Sequence, residues 1–426
     1  MSKSNVRAQT SASGFEFLLL GMLAVSLHFD LAIPVCGRLT FYQNEILLAI
    51  LAILTLVMLW KSGRAAELTP WILAFLPLTL WIGAHIPDYG AWESARALLR
   101  FGQFFLALSL VPLLLTTRQA LERGLRIVFA AGCAACLWGL AQTAFPHSLF
   151  LNDGHLNNIV FHFMPGRAGM SHHNQWSAYL VAWLLLASAC LARGFQRRWA
   201  IAALMLGAPA LLFSYSRGAW LGILFGAAFL EPTLPRSMRK ILLWSVGILG
   251  TAAVIIVALG PQRGEGTAIA LVNRCATLFK AENRSALYPH LLQELRSHGS
   301  WGLGDKGFRQ RLETLAQNLP ICAEERQALS AHAHNLYLQI SLTWGWPALL
   351  GWFLALSPLT WAAYQARKTP GEKIWALAIF AALAAFLLQS FTDVLLLHAR
   401  GAAIALCWGF LIAFLNYEHK NGPPAA

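Results

Sequence analysis

Residues 331–352 read "AHAHNLYLQISLTWGWPALLGW". His332 and His334 stand two residues apart, Asn335 follows, and an apolar run starts at once. The run is long enough to enter a bilayer, so two titratable rings sit at a membrane threshold. Pro347 lies inside it, which predicts a kinked or broken span over about 335–364.

The rest of the chain agrees with a membrane reading. Its 426 residues are 57% hydrophobic and only 12% charged, with mean hydropathy +0.55. Soluble domains carry roughly a quarter charged residues. So little charge cannot clothe a soluble globule, but it suits a chain whose outside is solvated by lipid. The 17 tryptophans fit too, because indoles favour the membrane–water interface. The start, "MSKSNVRAQTSASGFEFLLLGML", reads as a basic leader ahead of a first span rather than a cleavable signal. Cys133, Cys136, Cys190 and Cys407 lie in apolar runs and read as small buried hydrophobes. Cys275 and Cys322 fall in the one long polar segment, where an oxidising compartment would permit a disulfide.

Apolar runs of spanning length fall at about 14–35, 45–60, 70–87, 97–116, 124–145, 174–193, 199–215, 218–231, 241–260, 335–364, 373–391 and 398–416. The expected fold class is an all-α polytopic membrane protein with about twelve transmembrane helices. Loop charge orients it. Alternate loops hold Lys3 and Arg7; Lys61 and Arg64; Arg118, Arg123 and Arg126; Arg193, Arg197 and Arg198; Arg236, Arg239 and Lys240; Arg367, Lys368 and Lys373; and Lys420. The positive-inside bias makes these the inner loops. A miscount by one span would invert the pattern beyond the error. The net charge of +13 is therefore spread as orientation signals and not gathered into a nucleic-acid face.

This topology divides the chain into a first transmembrane bundle of about nine spans over 1–260, an outer loop domain over 261–333 and about three C-terminal spans over 334–426. The loop has helical stretches joined by "GSWGLGDKGF". Its Lys306, Arg309 and Arg311 suit either a solvated helix face or contact with phosphates.

Polar residues at the outer face oppose the charge bias. Snorkelling at helix ends accounts for Arg38 and Arg96. Arg217 is different: it lies in "LFSYSRGAWLGILFG", in a turn so short that two helices nearly meet, with Ser214, Tyr215 and Ser216 beside it. A guanidinium fixed there can grip phosphate with two parallel bonds. Arg167, His172, His173 and Asn174 cluster before the sixth span, as helix caps or as the lining of a polar substrate's path. Arg284 in "AENRSALYPHLL" is compositionally an ordinary surface arginine. His332 and His334 suit three readings: zinc ligands, for which no cysteine or carboxylate lies at a telling spacing nearby; structural interface rings; or a proton acceptor near neutral pH.

Three motifs together resemble a known family. They are "SYSRGAWLG" at 214–222, "NRSALYPHLLQELRSHGSWGLGDKGF" at 283–308 and "HAHNLYLQISLTWGWPALLG" at 332–351. The chain resembles bacterial O-antigen ligases, of the membrane family that also holds O-antigen polymerases and related oligosaccharyltransferases. "RAGMSHHNQWSAYL" is similar to the family's glycine–asparagine pattern, with His173 where a proline is usual. The resemblance implies a GT-C-like, inverting, metal-independent glycosyltransferase without a cofactor. It implies an inner-membrane enzyme whose site faces the periplasm. The donor would be a glycan on undecaprenyl pyrophosphate, and the acceptor a sugar hydroxyl of lipid A–core. It implies that Arg217, Arg284 and His334 are the essential residues. From their placement near these, Arg167, His172, Tyr215, His332 and Asn335 are expected as further substrate contacts. A polymerase or a protein O-oligosaccharyltransferase would share this site. A lipid-linked sugar transporter should instead carry ionisable groups near the bilayer midplane, where His28, Asp30 and Arg100 are the few candidates.

Overall fold

The computed structural model describes residues 20–24, 32–36, 39–144, 173–214, 216–231, 284–319, 326, 329–330, 332–369, 371–395 and 401–421. The described residues are almost entirely helical. A short antiparallel hairpin, β1 (Ala32–Cys36) with β2 (Leu39–Tyr42), is the exception. It corrects the expected span over 14–35, whose last residues are strand. Pro34 denies a helix its backbone donor, and Ile33 and Val35 are β-branched. The expected span over 241–260 lies outside the described residues.

Five helices lead into the bundle: α1 (Gln43–Lys61), α2 (Thr69–Ala84), the single turn α3 (Ile86–Tyr89), α4 (Ala91–Leu114) and α5 (Arg118–Ala144). Then come α6 (His173–Ala192), α7 (Arg197–Leu212) and α8 (Arg217–Leu230). Beyond the undescribed stretch lie α9 (Arg284–His298) and α10 (Gly304–Gln317). The chain closes with α11 (Leu336–Trp344), α12 (Trp346–Ala355), α13 (Ser357–Ala366), α14 (Lys373–Ser390) and α15 (Gly401–Asn421).

Among the described residues, six stretches are long and apolar enough to cross a membrane: Ala65–Ala84, Ala91–Leu114, Arg118–Ala141, Asn174–Ala192, Lys373–Ser390 and Gly401–Asn421. With the family evidence below, they make this a multi-pass membrane protein. Its outer surface has a matching character, with Ile53, Ile72, Leu80, Met205 and Trp60 all well exposed. So many large apolar side chains on the surface suit lipid better than water. The expected span over 335–364 is broken as Pro347 foretold, into α11, α12 and α13. Gly345 separates the first two at φ 81, and proline opens both later pieces.

Packing explains where the ends fall. Gly218, Gly222 and Gly226 form one stripe down α8, and α14 lies against it. A Cβ on Gly218 would collide with Thr392, and one on Gly222 with Gln389. Small residues let the two backbones approach closely. α15 packs most extensively on α4, and Trp183 of α6 fills the space between Gly132 of α5 and Gly207 of α7. Ion pairs then gather at one end of the bundle. Arg193 meets the buried Glu418 at 2.6 Å, and His419 faces Glu372 at 3.2 Å.

At the opposite end, α9 and α10 build a small core of their own. Leu287, Leu291, Phe308 and Leu312 seat on Leu338 and Leu342 of α11. The turn between them is stitched to the bundle. The fully buried His85 ring bonds the carbonyls of Trp81 and Trp301 at 2.8 and 2.7 Å and stacks on Trp301. Tyr89 donates its hydroxyl to Gly302 O, and the Leu303 amide donates to Leu342 O. Gly302 has φ 90, and a Cβ there would lie 2.5 Å from Thr343 O, so this turn requires glycine.

Candidate active site

The site begins with a helix cap. Asn335 is extended, and its Oδ1 accepts from the Leu338 amide at 3.0 Å, which opens α11. Its Nδ2 donates to Phe391 O at 3.3 Å, tying that helix start to the end of α14. Both ends of the carboxamide are therefore engaged in holding structure. One residue earlier, His334 is buried with φ 52, the left-handed region that side chains with a Cβ avoid. Its neighbours fix it there. The Ala333 amide donates to Gln339 Oε1 at 2.9 Å, and the Tyr288 hydroxyl donates to His334 O at 3.1 Å. The left-handed step folds the His334 ring back onto His332, with ring centroids 4.0 Å apart.

The third member of the cluster is Asp393, in the turn after α14. His332 Nε2 shares a hydrogen bond with its Oδ1 at 3.1 Å. Asn174, in the first turn of α6, donates Nδ2 to its Oδ2, and the Val394 amide donates to Oδ1 at 2.7 Å. The side chains of His332 and Asp393 are only 18% and 6% exposed, so their contact lies in a medium that screens poorly. Donor atoms of His332, His334 and Asp393 all lie within 4.8 Å of one another.

Arg217 opens α8, directly ahead of the glycine that abuts Thr392, so the start of α8 reaches the turn that carries Asp393. Arg284 opens α9, one helical turn before Tyr288, which touches the His334 backbone. The ends of α6, α8, α11 and α14 therefore converge on Asp393. Beside them an open cleft is lined by Glu93, Arg96, Arg100, Asp305, Gln339 and Val394, among others. Arg309 and Arg311 pair with Asp305 and Glu294, as a solvated helix face would.

The structure places the His332 and His334 rings together, and Asn335 beside them acts as a cap. Arg167, His172 and Tyr215 lie outside the described residues. Asp393 was missed by the reading of the sequence. One signal pointed to it: between Glu372 and Glu418 it is the sole acidic residue, next to an apolar span.

Residues 200–353 match the family model described as O-antigen ligase. The match spans about a third of the chain, and over that stretch the chain is similar to the O-antigen ligase family. It covers α8 to α11 and so contains Arg217, Arg284, His332, His334 and Asn335. Asn174 and Asp393 fall outside the family match, yet they bond to each other and reach its histidines. No curated protein matches the chain.

Proposed function

We propose that this chain is an O-antigen ligase. It moves a glycan from undecaprenyl pyrophosphate to a sugar hydroxyl of lipid A–core, at the periplasmic face of the bacterial inner membrane. The observation that carries this reading is the His332–His334–Asp393 cluster at the meeting of four helix ends, in and beside the family match.

The reaction balances without a cofactor. An acceptor hydroxyl attacks the anomeric carbon as the bond from that carbon to the pyrophosphate oxygen breaks. The pyrophosphate leaves with the electron pair and its charge grows. Arg217 and Arg284 stabilise it where it develops. His334 takes the hydroxyl proton. Asp393, held by Asn174 and bonded to His332, offsets the positive charge that the histidine pair then carries. Attack opposite the leaving group inverts the anomeric centre. The remaining features follow this reading: about twelve spans, the loop domain over 261–333 capping the site, and lateral access for both lipid-anchored substrates. Arg96 and Arg100 line the neighbouring cleft beside Glu93 and Asp305 and offer two guanidinium groups to a phosphorylated acceptor.

The test uses purified protein with a lipid-linked glycan and three acceptors: lipid A–core, a second lipid-linked repeat and a protein. Transfer to lipid A–core alone is expected. Transfer only to the lipid-linked repeat makes the protein a polymerase, and transfer only to protein makes it an oligosaccharyltransferase. Reconstituted protein that moves the donor across a bilayer without any transfer replaces the enzyme by a transporter.

A further inference from the structure

We propose that His332, His334 and Asp393 form a site for one divalent ion of the zinc class, and that an ion bound there withholds His334 from proton transfer. The second half rests on the ligase reading; the first does not.

The donor set is two imidazoles and one carboxylate, each able to give one atom, all within 4.8 Å. A tetrahedral ion with bonds of about 2.0–2.1 Å sets its ligand atoms about 3.4 Å apart. The His332 Nε2 to Asp393 Oδ1 edge, at 3.1 Å, is already close to that length. A bound ion would have to draw the His334 nitrogen toward that edge, from a starting separation within 4.8 Å. Two nitrogens and one oxygen favour zinc or its late first-row neighbours over magnesium and calcium, which seek oxygen alone. Three protein ligands leave a fourth position for water.

The surroundings resemble the support that metal ligands need. Asn174 and the Val394 amide fix the Asp393 carboxylate. Tyr288 pins the backbone of His334 from α9. Binding would convert a net charge of −1, with both rings neutral, to +1. It would also occupy the ring lone pair on His334 that accepts the hydroxyl proton. The working enzyme is then the metal-free form, and zinc is an inhibitor.

The test is a cobalt titration of the chelator-stripped full chain in detergent, read by visible absorption. One ion per chain, with the intense bands of a low-coordinate site that zinc then erases, is expected. His332→Ala and Asp393→Asn should each weaken binding at least about tenfold. Circular dichroism and a monodisperse elution profile identify folded variants, and His332→Ala keeps the test open if the aspartate variant does not fold. No cobalt spectrum in the wild type, or an unchanged one in the variants, overturns the site. In parallel, zinc should stop glycan transfer by the wild type and a chelator should restore it. Full transfer with the metal bound overturns the block. A wild type that transfers nothing even after chelation counts against the ligase reading, while the cobalt spectrum still decides the site.

Discussion

His334 occupies a backbone conformation that costs a residue with a Cβ about 1–2 kcal/mol, and the surrounding bonds hold it there. Strain of this kind separates a chemical role from a structural one. Glycine adopts φ 52 freely, so His334→Gly should fold with stability within about 1 kcal/mol of the wild type. It should nevertheless lose all glycan transfer. Thermal unfolding and the transfer assay check the two halves, and residual activity above a few per cent would refute the base assignment. Arg217→Lys keeps the charge but loses the two-pronged grip, so transfer should fall at least about tenfold with donor binding weakened. An unchanged turnover would remove Arg217 from the pyrophosphate. H-x-H-N at the threshold of an apolar run drew attention to both histidines, and only the family resemblance singled out His334. Asp393 carried only one local signal, its isolation beside an apolar span, and its contact with His332, 61 residues away, is recorded in no local pattern.

At the scale of elements, close packing sets the position of the chemistry. The glycine stripe of α8 draws it onto α14 and so brings the start of α8 to the Asp393 turn. Gly222→Leu would force a branched side chain into Gln389 and push the helices apart. We expect a loss of at least about 2 kcal/mol of stability and a larger proportional loss of transfer than of expression. Unfolding in detergent beside single-turnover transfer measures both. The α11 cap makes a milder prediction. Asn335→Ala removes the Leu338 and Phe391 bonds and should cost about 1–2 kcal/mol. Aspartate at this position restores the cap but not the bond to Phe391 O, so its stability should fall between the two. The break after Gly345 was foreseeable from Pro347, since proline acts locally. The hairpin over 32–42 was not, because a hydropathy window reads "LAIPVC" as apolar whether it is helix or strand.

For the molecule as a whole, sidedness joins sequence to function. Positive-inside charge puts the starts of the sixth, eighth and tenth expected spans and the end of the eleventh on one face. These are the four ends that meet at Asp393. At the other end lie Arg193, Glu372, Glu418 and His419, whose pairings join the opposite ends of α6, α14 and α15. A ligase of this design needs the first face in the periplasm, because its acceptor hydroxyl is there. Cysteine labelling tests the assignment directly. With Cys36, Cys275 and Cys322 replaced by serine, the four buried cysteines leave little background. Gln310→Cys and Glu313→Cys sit on the exposed side of α10, and Ser62→Cys and Lys368→Cys on exposed turns at the other end. In spheroplasts, a membrane-impermeant maleimide should modify the first pair and spare the second until the cells are lysed. The opposite pattern would place His334 in the cytoplasm, where it could not meet a periplasmic acceptor, and the proposed reaction would fail with the topology.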